Sequence, residues 1–240
     1  DNAPPLNYDC CIFCGIGENI SFARDFLFSL HSEINNIDNN IKNIDKKDVY
    51  AFDNSIDEYP DKELEEQKVQ FIKKHINTFN DANNTNLFYL IGGLYSNIFM
   101  QMDIEGAEFP WIDSLSPEQL QRFKQIVIEF HGINDVDDSW GSSRETKLRC
   151  LKKMAETHYI IHIHGNNYGG KSAEIPDIIE ITYLNKDCFL MRPPPLNHVP
   201  FPIPGLDSEN CPGKPDYILE TYPFCVLSNR KRNRRIYGLK

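Results

Sequence analysis

The chain has 240 residues, enough to bury a full hydrophobic core without disulfides or metals. Its hydrophobic content of 40% and charged content of 25% are those of an ordinary globular protein, which excludes a fully disordered chain, a collagen and a coiled coil. The net charge of −10 argues against broad, sequence-independent binding to nucleic acid, and no apolar run is long enough to span a membrane.

The chain begins with a predicted strand, a glycine-containing turn and a helix. Cys10–Cys14 is an apolar run, Gly15 and Gly17 follow in a G-x-G turn, and Asn19 or Ser21 can cap the helix behind it. The buried face of this helix is predicted from apolar side chains at every fourth position. These are Phe22, Phe26, Leu30 and Ile34.

Seven cysteines are scattered along the chain, and an odd number in this arrangement does not indicate a secreted disulfide framework. The C-x-x-C formed by Cys11 and Cys14 has no second pair at the spacing of a zinc site, so we interpret both residues as core. The N-terminus lacks the apolar stretch of a signal peptide. Together these features predict a reducing, cytoplasmic location.

An acid at the end of the second predicted strand is the first candidate ligand-binding residue. Residues 35–48 consist only of Asn, Ile, Asp and Lys, which predicts a surface loop or a frayed extension of the helix, inserted before the strand Val49–Asp53. Gly17 and Asp53 are 36 positions apart, or 22 without this 14-residue insert. Nucleoside-binding sheets place an acid for the ribose hydroxyls about 20 residues after the glycines. The spacing therefore predicts a nucleoside site.

The glycine turn also indicates the class of nucleoside. It has neither a third phosphate-loop glycine nor a G-K-[ST] sequence, which disfavours NTP hydrolysis and NAD. A nucleoside cofactor without phosphate, of which S-adenosylmethionine is the commonest, fits the turn better.

The rest of the chain predicts alternating strands and helices that end in a pair of strands. Such alternation is typical of a parallel, doubly wound sheet, whereas the last two strands have no helix between them and predict an antiparallel hairpin. We therefore expect an α/β fold with a mostly parallel seven-stranded sheet. The further strands are predicted at Val69–Ile72, Asn97–Met102, Gln125–Phe130, Tyr159–His164 and Ile178–Leu184, and the further helices at Asp61–Gln67, at Leu87–Leu94, from Ser116, and from Ser142 with a stripe of Leu148, Leu151 and Met154.

Composition divides the chain into three parts. Residues 1–191 are predicted to form one domain. Nine of the fifteen prolines lie in 192–227, which predicts an extended arm that serves either as a lid or as a homodimer contact. Residues 228–240 carry six basic side chains and no acidic one, so this tail is either a solvated terminus or a patch for RNA, phosphate or localisation.

Five segments of the chain resemble the FkbM-type S-adenosylmethionine-dependent methyltransferases. They are CGIGENISF (Cys14–Phe22), MDIEGAE (Met102–Glu108), IEFHG (Ile128–Gly132), HIHGNNYG (His162–Gly169) and IPDIIEITY (Ile175–Tyr183). The resemblance implies a seven-stranded methyltransferase fold, S-adenosylmethionine as cofactor, and methyl transfer to oxygen, commonly on sugars. From this resemblance we expect the acceptor to be a sugar, a glycan or another small molecule. The insert, the arm and the basic tail depart from the family pattern.

The candidate site residues lie around the glycine turn and at the ends of the strands. The candidate cofactor-binding residues are Cys14, Gly15, Ile16, Gly17, Glu18, Phe52, Asp53, Asn54 and Asp103. The candidate catalytic residues are Asp103, His131 and His164. Asp103 could hold the cofactor's ammonium group, bind a divalent ion or act as the base that removes the acceptor's hydroxyl proton. With a metal bound, one of the histidines would be the base. The candidate substrate-binding residues are Glu105, His162, Asn166, Asn167 and Glu180.

A divalent metal is a further expectation. Asp103, Glu129 and His131 end adjacent predicted strands, and no Arg or Lys in their own motifs compensates the two carboxylates. Unpaired like charges at short range are costly, and Mg²⁺ or Mn²⁺ would relieve that cost. The alternative interpretation is that Asp103 contacts only the cofactor, that Glu105 and Glu108 cap or pair on the following helix, and that the histidines pack in the core or form hydrogen bonds with the backbone.

Three other functions stay open from the sequence alone. The basic tail is compatible with an RNA 2′-O-methyltransferase, although no Lys lies near the first motif or close to Asp103. A methyltransferase fold can also serve as a binding module without turnover. An NAD-dependent oxidoreductase fits least, because the D-x-E-G-A-E motif has no role in it.

Overall fold

The fold is built on one large sheet and two small two-stranded ones. The structure is a computed structural model that describes residues 7–37, 48–62, 69–133, 140–172, 175–190 and 193–226. The strands, in chain order, are β1 (Cys10–Cys14), β2 (Asp48–Phe52), β3 (Val69–Ile72), β4 (His75–Ile76), β5 (Asn84–Thr85), β6 (Ile98–Met102), β7 (Phe123–His131), β8 (His158–Gly165), β9 (Lys171–Ser172), β10 (Ile175–Pro176) and β11 (Ile178–Asn185).

Helices connect most of the strands of the large sheet. They are α1 (Ser21–Ile37), α2 (Phe88–Ile91), α3 (Glu108–Ser114), α4 (Pro117–Leu120) and α5 (Arg144–Thr157). Among the described residues, no helix combines the length and the apolar character needed to cross a bilayer.

The large sheet has seven strands in the order β3-β2-β1-β6-β7-β11-β8. All neighbours are parallel except that β11 is antiparallel to both β7 and β8. The protein is therefore an α/β protein with a mostly parallel, Rossmann-like sheet. The strand order turns back at β1, which lies between β2 and β6. In such sheets ligands bind at this switch point, beyond the carboxyl ends of the strands.

Strand β1 lies inside the sheet, between β2 and β6, and is buried on both faces. Cys10, Ile12 and Cys14 pack in one hydrophobic cluster, while Cys11 and Phe13 pack in the cluster on the opposite face. This alternation follows from the two-residue period of a strand. The prediction that the N-terminal cysteines belong to the core is confirmed, since the exposure of all three is 0%.

The predicted buried face of α1 is confirmed at Leu30 and wrong at Phe22. The helix buries Ala23, Leu27 and Leu30, and Phe26 packs against the same cluster, whereas Phe22 is 46% exposed and stacks on Phe26. The side chain of Ile34 lies outside the described residues. A strict four-residue repeat drifts away from the 3.6-residue period of a helix, so a stripe chosen at every fourth position rotates out of the core.

The predicted cap of α5 is wrong, and its predicted face is wrong at one position. Leu148 is 47% exposed, whereas Met154 is buried as predicted and Leu151 packs against the core. The helix also buries Cys150 and Lys147. A buried lysine is tolerated because its amino group donates a hydrogen bond to the carbonyl oxygen of Gly132 at 2.6 Å. The cap is Ser143, one residue beyond the predicted Ser142. By contrast, the capping box predicted for α4 at Ser116 is confirmed.

Some predicted segments fall partly or wholly outside the described residues. Of the predicted insert 35–48, the first three residues belong to α1 and Asp48 begins β2, and 38–47 lie outside the described residues. The basic tail 228–240 and most of the predicted helix Asp61–Gln67 also lie outside them.

The end of β1 approaches β6 so closely that only glycine fits after it. Gly15 has a φ of +71°, and a Cβ built on it would lie 1.6 Å from the carbonyl oxygen of Asp103. The same two strands are joined there by a hydrogen bond of 3.0 Å from the backbone N–H of Asp103 to the carbonyl oxygen of Cys14. Any side chain at Gly15 would push these strand ends apart.

We predict that Gly15→Ala destabilises the fold far more than an alanine at a glycine of similar φ. Positive φ alone costs about 1–3 kcal/mol, and the clash adds to it. Gly205→Ala is the matched control, because Gly205 has a φ of +81° and no described atom lies within 4 Å of an added Cβ. Urea unfolding measures the free energy of unfolding of the wild type and of both variants. Equal free energies of unfolding for the two would contradict the prediction.

Candidate active site

A cleft of about 440 Å³ lies at the switch point of the sheet. It is enclosed by the glycine turn after β1, the start of α1, and residues that follow β2 and β6. Six of the predicted cofactor-binding residues line it: Gly15, Ile16, Gly17, Glu18, Asp53 and Asp103. The predicted substrate residue Glu105 and the misassigned Phe22 line it as well, so Phe22 is exposed because it faces a cleft.

Asp53 holds the glycine turn against the end of β2. One of its oxygens accepts a hydrogen bond from the backbone N–H of Gly17 at 2.8 Å, and the other accepts from the N–H and the hydroxyl of Ser55, both at 2.6 Å. Partial burial opposes ionisation, but the hydrogen bonds from Ser55 and Gly17 hold the pKa of Asp53 below its usual range. The carboxylate is therefore charged and faces the cleft.

The other three predicted cofactor-binding residues lie beneath or beside the cleft. Cys14 and Phe52 are buried at the ends of their strands, and the carbonyl oxygen of Phe52 accepts a hydrogen bond from the N–H of Gly15 at 2.9 Å. The amide nitrogen of Asn54 lies 2.8 Å from Nε2 of His75. In this structure these residues support the cleft from behind.

Asp103, Glu129 and His131 converge at one side of the cleft. Each offers one potential ligand atom, and these atoms lie within 4.8 Å of one another. Nε2 of His131 is 3.7 Å from Oε2 of Glu129, 3.9 Å from Oδ1 of Asp103 and 3.4 Å from Oε2 of Glu105. Because Asp103 also lines the cleft, the cleft and this carboxylate–histidine cluster share a residue.

The turn between β6 and α3 is fixed by Glu108, whose exposure is 0%. Its Oε1 accepts hydrogen bonds from the N–H groups of Ile104 and Gly106, both at 3.1 Å, and lies 3.1 Å from Nδ1 of His131. The same turn holds Glu105 at a φ of +54°, a conformation that non-glycine residues seldom adopt. Glu108 thus links the backbone of the D-x-E-G-A-E motif to the imidazole ring.

The charges of the cluster perturb one another strongly. Burial and the neighbouring charge of Glu129 raise the pKa of Asp103 to about 8. Burial raises the pKa of Glu129 as well, and its hydrogen bond from Asn166 opposes this only in part. Burial disfavours the charged form of His131, but the hydrogen bond to Glu108 and the surrounding carboxylates raise its pKa to about 9. The imidazole is therefore protonated at neutral pH.

His162 and His164, predicted for substrate binding and catalysis, both contact the described part of the arm, residues 193–226. Nε2 of His162 lies 2.7 Å from Oδ1 of Asp207. Nδ1 of His164 lies 3.0 Å from Oε2 of Glu180, and its Nε2 lies 2.9 Å from Oδ2 of Asp216. Both ring nitrogens of His164 are thus engaged by carboxylates, and its assignment as a base stays a prediction.

Two of the remaining predicted substrate residues also contact the arm. Asn167 accepts a hydrogen bond from the N–H of Cys211 at 2.6 Å and donates to the carbonyl oxygen of Lys214 at 3.0 Å. Oε1 of Glu180 accepts from Asn210 at 2.6 Å. Asn166 is directed to the cluster instead, where it donates to Oε1 of Glu129 at 2.6 Å.

Sequence reasoning missed the partners that hold these residues in place. The interpretation of Glu108 as a residue that caps or pairs on the following helix gives no indication of its contact with His131 across the sheet edge. Asp207 and Asp216 lie in a proline-rich segment without periodicity, so no local pattern indicated that they pair with histidines of β8. The contacts of Asp207 and Asp216 depend on how the arm packs against the sheet, which a local sequence pattern does not indicate.

Comparison with known proteins adds little to this geometry. No family model and no curated protein matches the sequence. Among solved structures, the chain is similar to the "Putative riboflavin biosynthesis protein" from Shewanella sp. PV-4, with 12% sequence identity, 75% of each chain covered and a TM-score of 0.25. That similarity is too low to carry an argument about function.

The arm is predicted to be held less tightly at high pH. The hydrogen bond with Glu180 raises the pKa of His164 to about 9, above its ordinary value of 6.5, and Asp216 adds to this against the effect of burial. A group whose pKa is raised by folding stabilises the fold fully below its unfolded pKa and loses this contribution as the pH rises through its folded pKa. The stabilisation from His164 should therefore disappear between about pH 6.5 and pH 9.

Thermal melting of the wild type and of His164→Gln from pH 6 to pH 10 measures this effect. We expect the wild-type advantage in melting temperature to be several degrees at low pH and to shrink towards zero above the folded pKa. His75→Gln is the control, because His75 is exposed and contacts Asn54 at the other end of the sheet. A pH-independent difference between the wild type and His164→Gln would contradict the assignment.

Proposed function

We propose that the protein is an S-adenosylmethionine-dependent O-methyltransferase that acts on a hydroxyl of a sugar, glycan or other small molecule. The observation that carries the proposal is the position of Asp103, which lines the nucleoside-sized cleft and also belongs to the carboxylate–histidine cluster. A methyl donor in the cleft would therefore present its sulfonium beside groups that can accept a proton. The seven-stranded order, with β11 reversed between β7 and β8, supports the methyltransferase class that the motifs imply.

The electrostatics of the cleft support this cofactor over a phosphate-bearing one. The cleft is lined by four ionisable side chains, and all of them are acidic: Glu18, Asp53, Asp103 and Glu105. Carboxylates attract the positive sulfonium and ammonium groups of S-adenosylmethionine and repel a pyrophosphate. The same charges would repel an RNA backbone, which supports a neutral hydroxyl acceptor over nucleic acid.

The reaction needs positioning and one proton transfer. The oxygen of the acceptor hydroxyl attacks the methyl carbon, the carbon–sulfur bond breaks, and its electron pair stays on sulfur to give S-adenosylhomocysteine. We assign the proton to Asp103 in its ionised form, because this group faces both the cleft and the cluster. Since its pKa is raised to about 8, the ionised form becomes more abundant as the pH rises towards 8. The ring nitrogens of His131 and His164 already face carboxylates, so these rings stabilise charge in the proposal.

Binding of the cofactor is tested by calorimetry in EDTA with S-adenosylmethionine and, separately, with NAD. We predict that S-adenosylmethionine binds at one site and that NAD does not. Asp53→Ala should weaken binding by about 1.5–3 kcal/mol, the scale of a hydrogen bond to a charged group. Asp57→Ala is the control, since Asp57 follows the same strand but its side chain is 93% exposed.

A second titration separates ribose recognition by Asp53 from its effect on the glycine turn. An S-adenosylmethionine analogue without the two ribose hydroxyls removes the hydrogen bonds that Asp53 would accept. If Asp53 binds the ribose, its replacement should weaken the complete cofactor more than the analogue, as in a double-mutant cycle. Equal losses for both ligands would assign Asp53 to the turn alone, and binding of NAD in place of S-adenosylmethionine would contradict the proposed function.

A further inference from the structure

We propose that Asp103, Glu129 and His131 form a binding site for one divalent cation, Mg²⁺ or Mn²⁺, and that Glu108 is the residue that positions the imidazole for it. The inference deepens the proposed function, and it rests on that function only for what the cation does in catalysis. Binding of the cation itself can be tested with the metal alone.

The distances within the cluster suit a shared ion. Ligand atoms about 2.1 Å from one cation lie about 3–4.2 Å from each other. Nε2 of His131 lies 3.7 Å from Oε2 of Glu129 and 3.9 Å from Oδ1 of Asp103. Among the described residues, the buried Oδ1 of Asp103 accepts no hydrogen bond. A cation between the three atoms would satisfy this oxygen with only small movements of the side chains.

Two of the three ligands are oriented by a second residue. Oε1 of Glu108 faces Nδ1 of His131 at 3.1 Å, so the proton on Nδ1 is held there. A cation that displaces the proton from Nε2 would bind between this nitrogen and the carboxylates. Asn166 donates to Oε1 of Glu129 at 2.6 Å, which leaves Oε2 to face His131. Metal-binding histidines and carboxylates are commonly fixed in this way by a hydrogen bond on the far side.

The donor set indicates which ion binds and what it does. Carboxylate oxygens favour Mg²⁺ and Mn²⁺, and a single imidazole is compatible with Mn²⁺ in particular. The side chain of Glu105 is 77% exposed and lies on the cleft side of His131, so the cation would face the cleft. An acceptor hydroxyl bound there would lose its proton more readily, because a cation lowers the pKa of a bound hydroxyl.

The test is titration of EDTA-treated, dialysed protein with Mn²⁺, followed by electron paramagnetic resonance of the free ion. We expect one site per chain, and a loss of affinity of 100-fold or more in Glu129→Gln and in His131→Gln. Glu108→Ala should weaken binding by about 10–100-fold, and Glu108→Gln, which keeps the acceptor oxygen, should restore most of it. Glu118→Gln, an exposed acid at the start of α4, should bind Mn²⁺ as the wild type does.

A second measurement uses only the wild type, so it does not require that any variant folds. In NMR spectra of the wild type, Mn²⁺ should broaden the amide signals of Asp103, Glu129 and His131 first. Absence of Mn²⁺ binding at millimolar concentration, or broadening centred elsewhere, would overturn the inference. If the protein binds S-adenosylmethionine in EDTA but, after dialysis, does not bind Mn²⁺, only the cation site is refuted. If it binds Mn²⁺ at the cluster but not S-adenosylmethionine, the cation site is supported and the proposed function is contradicted.

Discussion

The approach of the β1 end to the β6 end is the constraint on which the rest of the site depends. Because Gly15 has no side chain, its backbone can lie against the carbonyl group of Asp103. This contact places the glycine turn, which leads into α1, directly beside the first residue after β6. The cleft and the carboxylate–histidine cluster are adjacent for that reason. With a larger residue at Gly15, the two would separate even if every charged side chain were kept.

The site concentrates charge where burial makes charge expensive. Glu108 is fully buried, the exposure of His131 is 3%, and Glu129 faces the same centre. Buried ion pairs of this kind contribute little net stability, because desolvation cancels most of the attraction between them. Groups with strongly shifted pKa values in a cleft are instead typical of functional sites. The cost of these charges is therefore better explained by chemistry at the cluster than by stability.

A second group of charged side chains lies at β8, an edge strand of the large sheet, and at the neighbouring β11. His164, between Glu180 and Asp216, holds the arm against β8 and β11. His162 and Asn167 add further contacts with the arm. The two groups meet through Glu129 and Glu180, which face each other across β7 and β11. The arm therefore packs against β11, whose neighbour β7 carries Glu129 of the cluster.

Much of the fold could be predicted because it depends on local patterns. Short apolar runs located the strands of the large sheet, and the convergence of Asp103, Glu129 and His131 followed from the parallel arrangement of their strands. The helix faces were wrong only at Phe22 and Leu148, which fit a repeat of apolar side chains along the sequence but do not face the core. The partners in the arm could not be predicted, since Asp207 and Asp216 meet their histidines only after the whole chain has folded.

Methyl transfer is the most direct measurement of the central claim. The wild type is incubated with methyl-labelled S-adenosylmethionine and a panel of sugars, glycans and small alcohols, and both products are quantified. We predict labelled acceptor and an equal amount of S-adenosylhomocysteine, with turnover about 10²–10⁴-fold lower in Asp103→Asn. No label in any acceptor from folded, cofactor-binding protein, or undiminished turnover in Asp103→Asn, would contradict it.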